Sequence, residues 1–136
     1  MKLIAVVEDR GGMLFNHRRV SKDRVLIDKI KQIIQGHTLL VHPFSAELFP
    51  DAKADEHFLD TAGEDDFCFI ENCSVKAYEE RISDVYLFRW NRKYPADLFF
   101  DLPLEHFHMT GTEDFAGYSH DKITLETWKR VGETNE

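Results

Sequence analysis

The chain has 136 residues, a length typical of one domain. Hydrophobic residues make up 43% of it and include eleven phenylalanines, which excludes a disordered chain because this is enough apolar side chain to bury a core. Twenty-five acidic against seventeen basic residues give a formal net charge of −8, which argues against nucleic acid as a partner because phosphates would be repelled.

The cysteines and the first residues indicate the cellular compartment. Cys68 and Cys73 support neither a disulfide framework nor a structural zinc site, so both are expected to be reduced thiols. The apolar run at residues 3–7 is soon interrupted by charges and is too short for a signal peptide or a membrane span. We therefore predict a cytoplasmic protein without membrane association, with one domain over residues 1–131 and a frayed tail over 132–136.

The first half of the chain predicts strands alternating with helices. Residues 3–7 are typical of a strand covered on both faces, and the glycines that follow predict a turn. Residues 21–35 predict a helix with Ser21 as its N-cap and Gly36 after its end. Its apolar residues fall on one stripe, at Val25, Leu26, Ile30, Ile33 and Ile34. A second buried strand is predicted at 38–41, and a short helical turn at 43–49.

The second half of the chain begins with an acidic stretch and ends with strands alone. Residues 51–66 indicate a solvent-exposed connection that contains a short helix. The elements after it are a strand at 67–70, a helix at 73–82, and strands at 85–90, 97–101, 105–114 and 122–130. This order predicts a single-domain α/β fold with a mixed, mostly parallel sheet flanked by helices.

A basic cluster in this acidic chain is the first candidate site. His17, Arg18, Arg19, Lys22 and Arg24 lie close together at the start of the predicted helix. Backbone N–H groups and the positive end of a helix dipole would add to these side chains in holding a phosphate or carboxylate. Alternatively, the same side chains form surface ion pairs with the acidic connection.

Two further groupings have structural alternatives. His106 and His108 would point to one face of a strand and could share a metal with His120 or Asp121, but a half-exposed strand gives the same pattern, and we predict no metal. The segment 90–95 joins aromatic and basic residues that could stack a flat ligand, although a strand ending in a proline turn would look the same.

Several short stretches, spread over most of the chain, resemble dihydrofolate reductase. They are residues 3–9 with Gly12-Met13, Phe15-Asn16 with Ser21-Lys22-Asp23, 67–70 with 78–80, 85–88, and 96–101. The resemblance implies a dihydrofolate reductase-like fold and places Asp23 at the family's proton-relay carboxylate. Asp23 could act as a general acid or base if burial raises its pKa, whereas an Asp early in a helix commonly complements the helix dipole instead.

The cofactor residues of that family are not matched. Its Gly-Arg pair for the nucleotide phosphates is replaced by His42-Pro43, and its paired glycines by Glu71-Asn72, which adds a carboxylate where phosphate would lie. Phe88 stands where the family has a threonine that supports the acidic residue. We therefore expect no NADPH cofactor.

The leading hypothesis is a dihydrofolate reductase-like fold that binds a small anionic or heterocyclic ligand without NADPH-dependent reduction. The predicted cleft lies between residues 11–17 and the first helix. Its expected lining is Phe15, His17, Arg18, Arg19 and Lys22, with Asp23 as the candidate catalytic residue. One alternative is a non-enzymatic protein of inhibitor or immunity type that uses residues 51–66 against a basic protein partner, or that pairs with a second copy. Another is a divergent pteridine or folate reductase, so enzymatic activity stays open.

Overall fold

A seven-stranded sheet forms the centre of the fold. The structure of this chain, a computed structural model, describes residues 1–19 and 22–131. In chain order the strands and α-helices are β1 (Lys2–Val7), β2 (Gly12–Phe15), β3 (Arg18–Arg19), α1 (Arg24–Ile33), β4 (Leu39–Val41), β5 (Lys53–Ala54), α2 (Phe58–Thr61), β6 (Phe67–Ile70), β7 (Asp84–Arg89), β8 (Leu98–Phe99), β9 (Phe107–Phe115) and β10 (Ile123–Arg130).

The sheet is mixed and mostly parallel, as predicted. Its strand order is β5-β4-β6-β1-β7-β10-β9. The first five of these strands run parallel to one another, whereas β10 runs antiparallel to both β7 and β9. The α/β part of the sequence therefore builds the parallel half, and the strands at the end of the chain close the other edge.

Strand β1 is buried on both faces, as its continuous apolar run predicted. Leu3 and Ala5 belong to the core cluster that includes Phe58 of α2, while Ile4 belongs to the cluster on the opposite face. Helix α1 covers that second face with Leu26 and other residues of its apolar stripe. Because both faces are covered, the strand needs no polar alternation.

Helix α1 is shorter than predicted, and its cap is Asp23. The helix covers Arg24–Ile33 rather than 21–35. The Asp23 carboxylate accepts hydrogen bonds from the N–H groups of Val25 and Leu26, which a free helix end would otherwise leave unpaired. The predicted cap, Ser21, lies outside the described residues, and Asp23 performs the capping function.

A second, three-stranded sheet in the order β3-β2-β8 stands beside the main one. The segment around β2 and β3 was predicted as a loop, but it is a hairpin whose two turn residues, Asn16 and His17, have φ angles of 54° and 63°. Such left-handed turn residues match the twist of a tight hairpin, and Asn and His tolerate them better than most residues. The strand predicted at 97–101 is reduced to β8 and pairs with β2.

Other elements in the second half are also shorter than predicted. The helix predicted at 73–82 is a 3-10 helix, Lys76–Arg81. The strand predicted to begin at residue 105 is β9, and a second 3-10 helix, Leu104–His106, precedes it. The acidic connection holds a short helix as predicted, α2, together with β5. The tail predicted for 132–136 lies outside the described residues. Within the described ranges, no helix combines the length and the apolar character needed to cross a membrane.

Candidate ligand site

A cleft of about 450 Å³ lies between the β2-β3 hairpin and the loops that follow β4 and β6. Its lining is Leu14, His17, Phe44, Asn72, Asp97 and Leu98. The volume falls within the roughly 300–1,000 Å³ of small-molecule sites, and apolar surfaces combined with a few polar groups are typical of them. The carboxyl ends of parallel strands, where β4 and β6 end here, are the usual place for ligands in α/β sheets.

Asp97 holds the hairpin at the edge of this cleft. Its Oδ2 atom accepts a hydrogen bond of 2.9 Å from the Asn16 N–H, and its own N–H donates to the carbonyl oxygen of Leu14 at 2.9 Å. These two contacts hold Leu14, near the end of β2, and Asn16, in the turn that follows, against the segment before β8. They position His17, the next residue of the turn, on the wall of the cleft.

The amide of Asn72 is oriented by His42. The backbone N–H of Phe44 donates to His42 Nδ1 at 3.0 Å, so this ring nitrogen is an acceptor. Asn72 must therefore present its NH₂ group to the same nitrogen, at 3.2 Å. Its Oδ1 atom is left buried, without a hydrogen-bond partner among the described residues. An unpaired buried acceptor is costly and is relieved by a donor.

Beside the cleft, Arg19 and Glu71 form a largely buried ion pair. The guanidinium donates from Nε to Glu71 Oε2 at 3.0 Å and from Nη2 to Oε1 at 2.7 Å. It also contacts Glu47 through Nη1 at 2.6 Å and lies over the ring of Phe44. Hydrogen bonding to Glu71 raises the pKa of Arg19 further above its ordinary value. The predicted pairing of this cluster with residues 51–66 is therefore wrong for Arg19, whose partners are Glu47 and Glu71.

The cleft predicted beside helix α1 is nearly filled. The cavity there measures about 20 Å³, room for about one water molecule. Arg19, Lys22, Glu71 and the indole of Trp90 line it, together with apolar residues of α1 and the sheet. Trp90 is 1% exposed, so among the described residues the space between the hairpin and α1 is reduced to this small cavity. Ligand binding there stays a prediction.

Asp23 is buried in a network of hydrogen bonds. It accepts from the N–H groups of Tyr118 and Ser119 at 2.8 and 2.9 Å, in addition to the two at the start of α1. His120 Nδ1 lies 3.2 Å from its Oδ2 atom. Burial alone would raise the pKa of Asp23, but these hydrogen bonds outweigh it and hold the pKa well below its ordinary range. The raised pKa expected of a proton-relay acid is therefore the wrong direction, and the geometry favours a capping and anchoring role.

The structure divides the other predicted ligand residues among three places. Phe15, Arg18 and Arg19 surround a recess of about 220 Å³ together with Tyr94 and Pro95. His17 faces the larger cleft on the other side of the hairpin, and Lys22 borders the small cavity at α1. Phe15 and Arg18 are paired across β2 and β3, whereas His17 lies in the turn between these strands, so these neighbours in sequence line different spaces. Their binding of a ligand stays a prediction.

The other candidate groupings do not assemble. His106 lies in a 3-10 helix and contacts Glu79, while His108 is exposed on β9, so the two do not share a strand face. Among the described residues, no group of three or more metal-binding side chains comes together. Trp90 is buried and stacks on His120, so it is not an exposed platform for a ligand as the segment 90–95 suggested.

A comparison with solved structures identifies the architecture. Dihydrofolate reductase from Enterococcus faecalis, in a structure complexed with NADP(H) and RAB-propyl, superposes with a TM-score of 0.71 over 97% of each chain. This chain has the dihydrofolate reductase fold. The sequence identity is only 14%, so the likeness concerns the fold alone and marks a divergent version of it. No protein-family model and no curated protein matches the sequence.

Sequence reasoning missed part of this candidate site. Asn72 and His42 were noted only as departures from the family's phosphate-binding residues, and Asp97 only as part of a strand. The relevant signal was the presence of His42 and Asn72 at two strand ends where the resemblance implies phosphate-binding residues. It could have suggested a new hydrogen-bonding site, but the pairing of His42 with Asn72 depends on strands that are distant in sequence.

Proposed function

We propose that this protein binds a small heterocyclic ligand in the cleft of about 450 Å³ and does not carry out NADPH-dependent reduction. The observation that carries the proposal is the cleft itself, in which the ring of Phe44 and the side chains of Leu14 and Leu98 meet three polar groups. A flat ligand would bury its faces against the apolar residues. Its edge would meet His17, Asn72 and Asp97.

The polar groups favour a ligand that donates hydrogen bonds over one that carries a negative charge. Asn72 lines the cleft and has a buried Oδ1 acceptor without a partner among the described residues, and Asp97 adds a carboxylate at the same cleft. Arg19 lies over the ring of Phe44, and its charge is already paired with Glu71 and Glu47. Of the two ligand classes that the sequence left open, the heterocycle is therefore the better supported.

The residues at the ends of β4 and β6 do not fit the dinucleotide that the fold family implies. Glu71 follows β6 directly, and its buried carboxylate would lie against the phosphates. After β4, Pro43 has no N–H to offer, and the segment after β6 forms a 3-10 helix with Glu79 in its first turn instead of a regular helix with a free N-terminus. These features support binding without a nicotinamide cofactor.

The test is a thermal-unfolding and calorimetry panel of pterins, purines, pyrimidines and their nucleosides, with wild type and Asn72→Leu compared. Asn72→Leu keeps the side-chain size but removes the acceptor, so a binding heterocycle should lose about three- to tenfold in affinity. His17→Asn, which keeps a residue tolerant of the turn, should also weaken binding. His108→Asn on β9 is the matched control and should not. A panel without any binder, or equal binding by Asn72→Leu, would contradict the proposal.

A further inference from the structure

Three hydrogen-bond donors converge on the carboxylate of Glu71. Two come from the guanidinium of Arg19, at 3.0 and 2.7 Å, and the third is the hydroxyl of Ser45, whose Oγ atom lies 2.7 Å from Oε1. Ser45 is fully buried, and Glu71 is 7% exposed. The donors belong to β3 and to the 3-10 helix Pro43–Ser45 that follows β4, while the acceptor follows β6, so the arrangement is built from three separate segments.

The guanidinium is held in place by contacts besides the one to Glu71. Its Nη1 atom donates to Glu47 at 2.6 Å, its Nη2 atom donates to the carbonyl oxygen of Phe44 at 3.2 Å, and its centre lies 4.9 Å from the Phe44 ring. A planar guanidinium fork with an adjacent hydroxyl is a set of donors that suits phosphate oxygens as well as carboxylates. The donor set should therefore persist when the carboxylate is removed.

We propose that Glu71 is a resident anion in an oxyanion site formed by Arg19 and Ser45, and that removing its carboxylate opens this site to a small tetrahedral oxyanion such as inorganic phosphate. In the unsubstituted chain the carboxylate is tethered beside its donors, so its effective concentration excludes free anions. The inference goes beyond the heterocycle cleft and does not depend on Asn72. It assigns to this edge of the sheet a phosphate site that the chain keeps occupied with its own side chain.

The experiment measures thermal unfolding of Glu71→Ala in inorganic phosphate against chloride of equal ionic strength. Phosphate at a hundredfold excess over its Kd should raise the Tm of this variant by roughly 5 °C or more, and it should leave wild type unchanged. Glu71→Gln is the matched control, because its amide still fills the site and should keep the variant insensitive to phosphate. The double variant Glu71→Ala/Arg19→Met lacks the fork and should also show no phosphate effect.

If Glu71→Ala folds too poorly for a Tm to be measured, its refolding yield is compared in phosphate and in chloride instead. A yield that rises with phosphate supports the site. Equal responses of Glu71→Ala to the two anions overturn it, as does a phosphate response of wild type equal to that of the variant. Asn72→Leu should not change the phosphate response of Glu71→Ala, so failure here is distinguishable from failure of the heterocycle proposal.

Discussion

The imidazole of His120 lies flat against the indole of Trp90, with ring centroids 4.1 Å apart and planes inclined by 19°. The same imidazole places Nδ1 3.2 Å from the Asp23 carboxylate and Nε2 3.2 Å from the Tyr94 hydroxyl. His120 is 4% exposed and joins the loop before β10 to the start of helix α1. This contact set fixes the loop before β10 against the start of α1 and the end of β7.

Replacement of His120 by alanine should destabilise the protein by about 2–4 kcal/mol, since it leaves a cavity beside Trp90 and removes a buried hydrogen-bonded group. Chemical denaturation measures the loss, and Trp90 fluorescence in a Trp128→Phe background reports the change around the indole. His108→Ala, exposed on β9, should stay within about 0.5 kcal/mol of wild type. Equal losses in the two variants would show that His120 does not anchor the loop.

Asp23 should make stability depend on pH in the acidic range. Its pKa in the folded protein is lower than in the unfolded chain, so its stabilising contribution is complete above about pH 4, the unfolded pKa, and is lost as the pH falls toward the folded value. Asp23→Asn should therefore show a smaller fall in unfolding free energy between neutral pH and pH 3. Asp28→Asn, exposed on the same helix, should follow the wild-type curve. Identical curves for all three proteins would contradict this role.

Gly117 should tolerate no larger residue. A Cβ atom there would lie 2.7 Å from both Asp23 Oδ2 and Ile123 Cδ1, so Gly117→Ala must displace the loop from the helix cap. We expect a loss of about 1–3 kcal/mol, measured by urea denaturation. Gly111→Ala is the control, because nothing lies within 4 Å of its Cβ position and alanine is favoured over glycine within a strand. A Gly117→Ala protein as stable as wild type would mean that this close approach is not needed.

Arg19 and Glu71 should be strongly coupled. Arg19→Met leaves a buried carboxylate without its cation and should cost about 3–5 kcal/mol. The double variant Arg19→Met/Glu71→Leu removes both charges and should lie within about 1 kcal/mol of wild type. Arg18→Met is the control and should change stability by less than about 0.5 kcal/mol. Additive losses in the double-mutant cycle would contradict a coupled pair.

NADPH should neither bind nor be oxidised with dihydrofolate as substrate. Each phosphate contact that Glu71 and Pro43 cannot provide forgoes a charge-assisted hydrogen bond of about 1.5–3 kcal/mol. Calorimetry and the loss of NADPH absorbance are the measurements, with the Enterococcus faecalis dihydrofolate reductase as positive control, since that protein is known in complex with NADP(H). Micromolar binding by the present chain would refute the exclusion of the dinucleotide.

The elements with a clear apolar pattern were the ones that the sequence predicted well. Strand β1 follows from its continuous apolar run, and helix α1 follows from an apolar stripe with the helical period. Strands β3 and β5 were missed because two residues are too few to form a pattern, and β2 was missed because the glycines at its start indicated a turn. The helix predicted at 73–82 is only the 3-10 helix Lys76–Arg81.

The mixed, mostly parallel α/β fold could be predicted because it follows from local apolar patterns and their order along the chain. The places where charged and aromatic side chains meet could not be predicted, because they depend on tertiary packing. Arg19 and Glu71 are 52 positions apart, and Asp23 and His120 are 97 apart. Which donor reaches which buried acceptor depends on the packing of separate strands, and no local pattern encodes that distance.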